Sequence, residues 1–417
     1  MSELTPSIAI IGSGPAGCYS AQFLKKALPD ADITVFEALP VPYGLLRYGV
    51  AADHQGTKNV SAQFERLFSR GGVRFIGNVE IGKDISLEEL KAAFDAVVMA
   101  TGLSADRQLG IPGDDQPSVM GAAQLLRALN GYPKRDERVD QAPRPLGSRL
   151  IVIGNGNVAM DVVRLIAKSE IELDGSDIND EAKREYDIRS VNHIDVIGRS
   201  PIDAAKFDLA MLREICHLQE AVVSTADQSL SISCPAADLL LSTLAANTEK
   251  KGKVAIRFHF NTTPLLISSR NENTVLTVKS SDGGEVKNFL CDSIITAIGF
   301  CHAPSDRFEP ATDIYYTGWV KRGPNGTVAE NRRDAAEVAA TIVANLRKSK
   351  VGKGKPGFCA IEAVIQHKAV SFEQWKLLDQ HEILSAPPGR CRKKMTSVEE
   401  MLAVMTMPFS VAQSEMN

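Results

Sequence analysis

The sequence has no Cys-x-x-Cys pair. Its seven cysteines are scattered at positions 18, 216, 234, 291, 301, 359 and 391 and have no metal-ligand spacing to one another or to the seven histidines. That argues against a zinc ribbon and a closely spaced redox dithiol, and no metal is expected. An odd count of separated thiols reads as reduced, mostly buried cysteine in a cytoplasmic compartment. No apolar run reaches the roughly 20 residues that span a bilayer, so no membrane insertion is expected. The first apolar segment, at Ile8, lacks the cationic flank and cleavage site of a signal peptide. The two signs of charge nearly balance: 47 basic and 51 acidic residues leave −4. Such a balance gives no field to hold nucleic acid nonspecifically, and any docking surface has to be local. Gly and Pro are ordinary at 31 and 20 of 417 residues, and 44% hydrophobic content excludes a disordered chain.

What is present is one pattern, twice. Residues 7–11 are an apolar strand running into Gly12-Ser13-Gly14-Pro15-Ala16-Gly17. A helical pattern follows from Cys18 to Leu28, then a second strand from Ile33 to Glu37. Residues 149–153 likewise run into Gly154-Asn155-Gly156-Asn157-Val158-Ala159, a helix from Met160 to Lys168, a polar insertion over 169–190, and a strand from His193 to Ile197 ending at Gly198-Arg199. Each is a β–turn–α–β unit, so the fold class is α/β with two Rossmann-like dinucleotide-binding domains. Beyond Lys253 the pattern turns to strands: one at 254–260, and a pair at 274–279 and 286–290 that reads as a hairpin.

The two turns differ in chemistry. In the first, Gly12 permits the tight turn, Gly14 lets backbone approach a pyrophosphate, and Gly17 lets the helix pack on the sheet, its N-terminus facing the anion. Pro15 and Ala16 open that helix. Glu37 suits a ribose 2′-hydroxyl and repels a 2′-phosphate, which favours FAD or NAD. In the second turn Gly154, Gly156 and Ala159 form the variant ending in alanine. Arg199 stands where an NAD site carries a carboxylate, and a guanidinium suits a 2′-phosphate. Ser200 adds a hydroxyl donor, so NADP is favoured here. Residues 39–54 are apolar but too rich in Gly and Pro for a helix, and are expected to pack on a flavin ring.

Gly12–Gly17, Pro42–His54, Gly154–Asp161, Gly198-Arg199 and Gly318–Gly326 occur in an order that resembles the adrenodoxin-reductase-type ferredoxin–NADP(+) reductases, within the glutathione-reductase-like flavoproteins. Ala100-Thr101-Gly102 and Ala297-Ile298-Gly299 fit the strands that return between two domains. The resemblance implies a discontinuous FAD domain, residues 1–106 and 293–417, around an NADP domain at 107–292. It implies that Glu37 binds the FAD ribose and that Gly44, Leu45, Thr101 and Gly102 line the FAD. Trp319 and Gly326 would lie at the isoalloxazine, Gly326 also near the nicotinamide carboxamide. Asn157 and Val158 would offer donors to the NADP pyrophosphate, with Arg199 and Ser200 at the 2′-phosphate. His54 and Glu214 match a pair beside both rings, able to relay a proton.

The implied activity is hydride transfer between NADPH and FAD, coupled to one-electron transfer with a ferredoxin-like iron–sulfur protein. The chain is expected to act as a monomer with a transient partner. An acidic partner needs a basic surface, either Lys134, Arg135 and Arg138 or Arg390, Arg392, Lys393 and Lys394. Two positions depart from the family pattern. Ser200 replaces a second arginine, which leaves NAD use open, and Ala329-Glu330-Asn331 replaces Gly-Thr-Asn, adding a carboxylate. The alternatives are an electron-input flavoprotein subunit of glutamate-synthase type and a catalytically silent FAD-binding interaction protein. A disulfide reductase is disfavoured by the missing cysteine pair.

Overall fold

The strand Ser7–Ile11 is buried along its whole length and lies at the centre of a parallel sheet. Its neighbours are Asp32–Phe36 and Ala96–Met99, with Val73–Ile76 and Ile314–Tyr316 at the edges. A strand covered on both faces has to be apolar throughout, as Ile8, Ala9, Ile10 and Ile11 are. The architecture is that of a computed structural model, which describes residues 5–133, 142–226, 234–246, 252–270, 273–280, 284–302, 314–326, 328–348 and 354–406. The helix Pro15–Ala27 starts on a proline, whose missing N–H costs nothing at that position. It packs beside the long helix Val328–Lys348, so the two ends of the chain share one core.

A second parallel sheet runs in the order Val119–Gly121, Ser293–Thr296, Arg149–Ile153, His193–Ile197, Val254–His259, Ala221–Thr225. Ser293–Thr296 is hydrogen-bonded inside this sheet, so a domain boundary at 293 is placed too early. The chain crosses back after Thr296, where Phe300–Cys301 pairs antiparallel with Ala105–Asp106 on the outgoing path. The expected hairpin is present, and a third antiparallel strand extends it. Thr262–Arg270 joins Asn273–Ser280 and Val286–Cys291, and the sheet buries Ile267, Leu276 and Val278 against Ile151, Ile153 and Ile294. Both post-turn helices begin earlier than their periodicity suggests, at Pro15 and Asn157, because the glycine turn itself supplies the first helical positions.

The insertion over 169–190 is polar but tightly packed. It carries the helix Asp180–Glu185 and is stitched to the C-terminal segment, Gly175 N–H donating to Gly389 O at 2.9 Å and Cys391 N–H to Ser176 O at 3.0 Å. This stitching uses up the second candidate docking patch. Arg390 pairs with Asp180 at 2.9 Å and Glu170 at 3.2 Å, and Arg392 with Asp379 at 2.8 Å and Glu382 at 3.3 Å. Lys394 is buried on Asp177 at 2.9 Å, leaving only Lys393 exposed. Those cations hold the C-terminal segment down rather than facing a partner. The other patch, Lys134, Arg135 and Arg138, lies outside the described residues. No helix among the described residues is long and apolar enough to cross a membrane.

Candidate functional site

The two glycine turns have the same local construction. Gly12 has φ +103°, and a Cβ there would stand 2.6 Å from Ala100 O. Gly154 has φ +132°, and a Cβ there would stand 2.3 Å from Ala297 O. Each turn thus presses on the return strand of its own sheet, which leaves room for no side chain. Gly14 differs, with nothing within 4 Å of its Cβ position on the face where the Pro15–Ala27 helix begins. Gly44 closes against it, its Cβ position 3.2 Å from Gly14 Cα. Leu45 then opens a one-turn helix, Leu45–Tyr48, in a stretch whose Gly and Pro content predicts none. Tyr43 at φ 82° and Gly44 at φ 47° make the sharp entry that permits it. Thr101 and Gly102, the latter at φ +73°, follow directly on Ala100 beside the first turn.

Glu37 stands half-buried at the end of its strand. Its Oε2 accepts from the Ser13 N–H at 3.1 Å and hydroxyl at 2.6 Å, and its Oε1 from the Leu39 N–H at 3.2 Å. Ser13 Oγ also accepts from the Tyr43 N–H at 3.2 Å, so turn, carboxylate and apolar loop form one unit.

Trp319 opens a one-turn helix, Trp319–Arg322. Its ring lies 5.2 Å from that of Phe300 and, like Val158, packs against the cluster of Phe300, Leu103 and Ala123, residues from both sheets' sides of the crossing. Its indole Nε1 is buried with no protein partner, a vacancy in hydrogen bonding that an acceptor on a bound group would fill. Asp334 anchors the loop, accepting from Gly318 N–H at 2.6 Å, Thr317 Oγ1 at 3.2 Å and Lys321 Nζ at 2.7 Å. Burial pushes its carboxyl up, but the Lys321 and Gly318 hydrogen bonds outweigh that and hold it below its ordinary value. Gly326 is exposed, but a Cβ there would stand 2.5 Å from Glu330 Oε2 and 2.7 Å from an Arg322 terminal nitrogen. The unexpected Glu330 therefore lies against Gly326, beside a guanidinium.

His54 sits between two carboxylates. Its Nδ1 is 3.7 Å from Asp161 Oδ1 and its Nε2 3.8 Å from Glu214 Oε2. Glu214, on the helix Leu209–His217, is held by Lys168 at 2.6 Å and Arg164 at 3.0 Å. The fully buried Arg164 also binds Asp161 at 2.9 Å and grips Asp53 with both terminal nitrogens. Three carboxylates thus face two permanent cations, and the cluster is neutral only when it holds one proton. Burial pushes the Glu214 carboxyl up, but His54, Lys168 and Arg164 together hold it far below its usual range. Burial pushes Asp161 up as well, and there the Arg164 guanidinium offsets only part of the rise. The two groups flanking His54 therefore differ: one keeps its charge, the other takes a proton more readily. Asp53, His54 and Glu214 offer ligand atoms within 4.8 Å of one another, but both carboxylates are already committed to Arg164 and Lys168.

At the second turn the Asn157 side chain accepts from the Asp208 N–H at 2.6 Å, and Val158 reaches the Trp319 cluster. Asn155 packs on Gly198, whose Cβ position is 2.4 Å from its Nδ2, and that amide nitrogen is buried without a partner. Arg199 is exposed at the end of His193–Ile197, and half-buried Ser200 accepts through its carbonyl from Asn261 N–H at 3.2 Å. Ser13, Asp161, Arg164, Lys168 and Asp334 were not singled out by motif. Only Asp161 and Arg164 left a trace: two charges three residues apart in an otherwise apolar helix.

The open face of Gly14, the carboxylate at Glu37 and the unpartnered indole fit a flavin dinucleotide. The unpartnered Asn155 amide and the exposed Arg199 fit a nicotinamide dinucleotide. Together they define a class, the flavoprotein oxidoreductases with two dinucleotide folds. A family model for pyridine nucleotide-disulphide oxidoreductases matches residues 6–201. The chain is 41% identical to the cindoxin reductase of Citrobacter braakii over 425 residues, covering 96% of this chain and 91% of that protein. It is 31% identical to the mitochondrial NADPH:adrenodoxin oxidoreductase of Salvelinus fontinalis, covering 96% and 91%. The structure of Mycobacterium tuberculosis FprA in complex with NADPH matches with a TM-score of 0.86 at 29% identity, covering 97% of this chain and 100% of that one. The chain belongs to the adrenodoxin-reductase and FprA-type ferredoxin–NADP(+) reductases. It is an NADPH-dependent oxidoreductase with FAD and NADP as cofactors. The seven cysteines are free thiols.

Proposed function

We propose that the first sheet, with the chain's C-terminal part, holds FAD, and that the second sheet, up to Thr296, holds NADP. The observation that carries this is the Trp319 cluster, where an indole with an unpartnered Nε1 meets residues from both sides of the crossing. Bound FAD supplies the exchange between a two-electron hydride and single electrons. Glu37 holds the adenosine ribose, Gly12–Gly17 admit the pyrophosphate, and Gly44, Leu45, Thr101 and Gly102 line the flavin. Trp319 and Gly326 keep water from the ring face. Asn157 and Val158 receive the NADP pyrophosphate and Arg199 its 2′-phosphate, with Ser200 beside it. His54, between Asp161 and Glu214, relays a proton beside the two rings, with Asp53, Arg164 and Lys168 fixing the carboxylates around it.

The acceptor is an acidic ferredoxin-like iron–sulfur protein, a reading supported by relatives named for adrenodoxin and ferredoxin. Cations open to such a partner include Arg213, next to Glu214, and Arg332 and Arg333, on the helix that anchors the Trp319 loop. All three are exposed. A reducing compartment such as the cytoplasm suits seven free thiols, and the working unit is a monomer.

Anaerobic titration tests the reading. The purified protein is expected to be yellow and to bleach with NADPH. Cytochrome c reduction should then rise when an acidic ferredoxin is added, and the rise should fade as salt screens the encounter. Yellow protein that bleaches with neither NADPH nor NADH would overturn the reductase reading; bleaching without stimulation by any ferredoxin would remove only the partner.

A further inference from the structure

Lys206 lies against the second glycine turn. Its backbone N–H donates to Asn155 O at 3.1 Å, and it forms an isolated parallel bridge with Gly156. Its Cβ is 4.0 Å from the position a Gly156 Cβ would occupy. The residue is exposed, and its ammonium has no ion-pair or hydrogen-bond partner among the described residues. The nearby Asp208 carboxylate accepts from Ala210 N–H at 3.0 Å, capping the next helix. The helix that opens at this turn, Asn157–Ala167, has no acidic residue in its first turn and no side-chain cap. Asn155 joins Lys206 through its carbonyl and Gly198 through its side chain, and its buried Nδ2 is unpartnered. An exposed lysine, a buried unpartnered amide and an uncapped helix start therefore belong to one turn, a setting that favours an anion.

We propose that Lys206 binds the pyrophosphate of the nicotinamide nucleotide. This rests on the second turn being the NADP site, and it adds a residue that neither the glycine pattern nor the Arg199 argument includes. The consequence is a division of labour. Arg199 answers a group that only NADP carries, whereas Lys206 answers one that NADP and NAD share. Ser200 lacks the second charge of the family pattern, and Lys206 restores a charge at a position that strengthens binding without discriminating. The chain is then expected to bind both nucleotides firmly with a narrowed preference between them.

The test is titration of the oxidised holoprotein with NADP+ and with NAD+, followed by the flavin difference spectrum, for wild type, Lys206→Ala, Lys206→Arg and Arg199→Ala. Lys206→Ala should weaken both nucleotides by the same factor, about three- to tenfold, the scale of one charge-assisted hydrogen bond at a partly exposed phosphate. Lys206→Arg should largely restore both, and Arg199→Ala should weaken NADP+ alone. Unchanged binding in Lys206→Ala overturns the proposal. Loss confined to NADP+ also overturns it, by moving Lys206 to the 2′-phosphate. A wild type that binds neither nucleotide overturns the reading of the turn itself, a failure the wild-type titration shows before any variant is compared.

Discussion

Asp334 shows how one residue sets the site. It is 5% exposed, yet it accepts from Thr317 Oγ1, Gly318 N–H and Lys321 Nζ, with the Arg322 guanidinium at 3.4 Å. Those donors lie in or next to the Trp319 turn, and the acceptor sits on the helix that follows. Removing the carboxylate strands a buried N–H and a hydroxyl at once. Asp334→Ala is expected to cost about 2–4 kcal/mol in denaturant unfolding, the range for losing a buried charge-assisted network. Asp334→Asn keeps one acceptor oxygen and should lose clearly less; equal losses would show that packing rather than hydrogen bonding matters here. At this scale Trp319 was legible in the string 318–326, but its anchor was not. Asp334 is one acid in a helix rich in charge, and only folding shows which of those charges turns inward.

At the scale of elements, the polar insertion changes its meaning once folded. Glu170 accepts from Lys183 at 2.7 Å and from Arg189 at 2.7 Å, and Arg390 of the C-terminal segment reaches it at 3.2 Å. Burial pushes its carboxyl up, but the cations outweigh that and lower it to about 2 from an ordinary 4.5. A depressed carboxyl contributes stability above its unfolded value and loses it as pH falls toward the folded one. Glu170→Gln is therefore expected to lower stability above pH 4.5, with the gap to wild type closing between pH 4.5 and about 2. Urea unfolding across that range checks it, and a gap independent of pH would remove the ion pairs as its cause. From sequence alone the same segment reads as a solvated loop, because charge pairs with partners 200 residues away leave no local periodicity.

In the whole molecule, the two sheets are also joined away from the crossing strands. Lys58, after the first apolar loop, and Lys394, near the C-terminus, both bind Asp177 of the insertion, at 2.6 and 2.9 Å. Asn130 Oδ1 accepts from Lys58 at 2.6 Å. Burial lowers the affinity of both ammonium groups for their protons, and for Lys394 the charge of Lys58 lowers it further. One aspartate thus ties three distant segments and compensates two buried cations. Asp177→Asn should cost about 3–5 kcal/mol, since it leaves those cations unanswered. Lys58→Met should cost much less, because Lys394 keeps its partner and loses a like charge. Thermal unfolding of the two holoproteins compares them, and equal losses would contradict this arrangement.

The sequence by itself determined what is local: two strand–glycine–helix units, the carboxylate closing one and the guanidinium closing the other, and the absence of a cysteine pair. These are short-range matters of φ, spacing and charge, readable from neighbours in the chain. It also placed His54 and Glu214 in one site, though only by resemblance. Tertiary structure alone decided that Ser293–Thr296 belongs to the second sheet, that Arg390, Arg392 and Lys394 are taken up by ion pairs, and that Arg164 and Lys168 hold Glu214 charged while Asp161 holds a proton more readily. The first depends on which distant strands pair, the others on which charges meet across the fold, and desolvation makes those meetings strong without leaving a pattern in sequence.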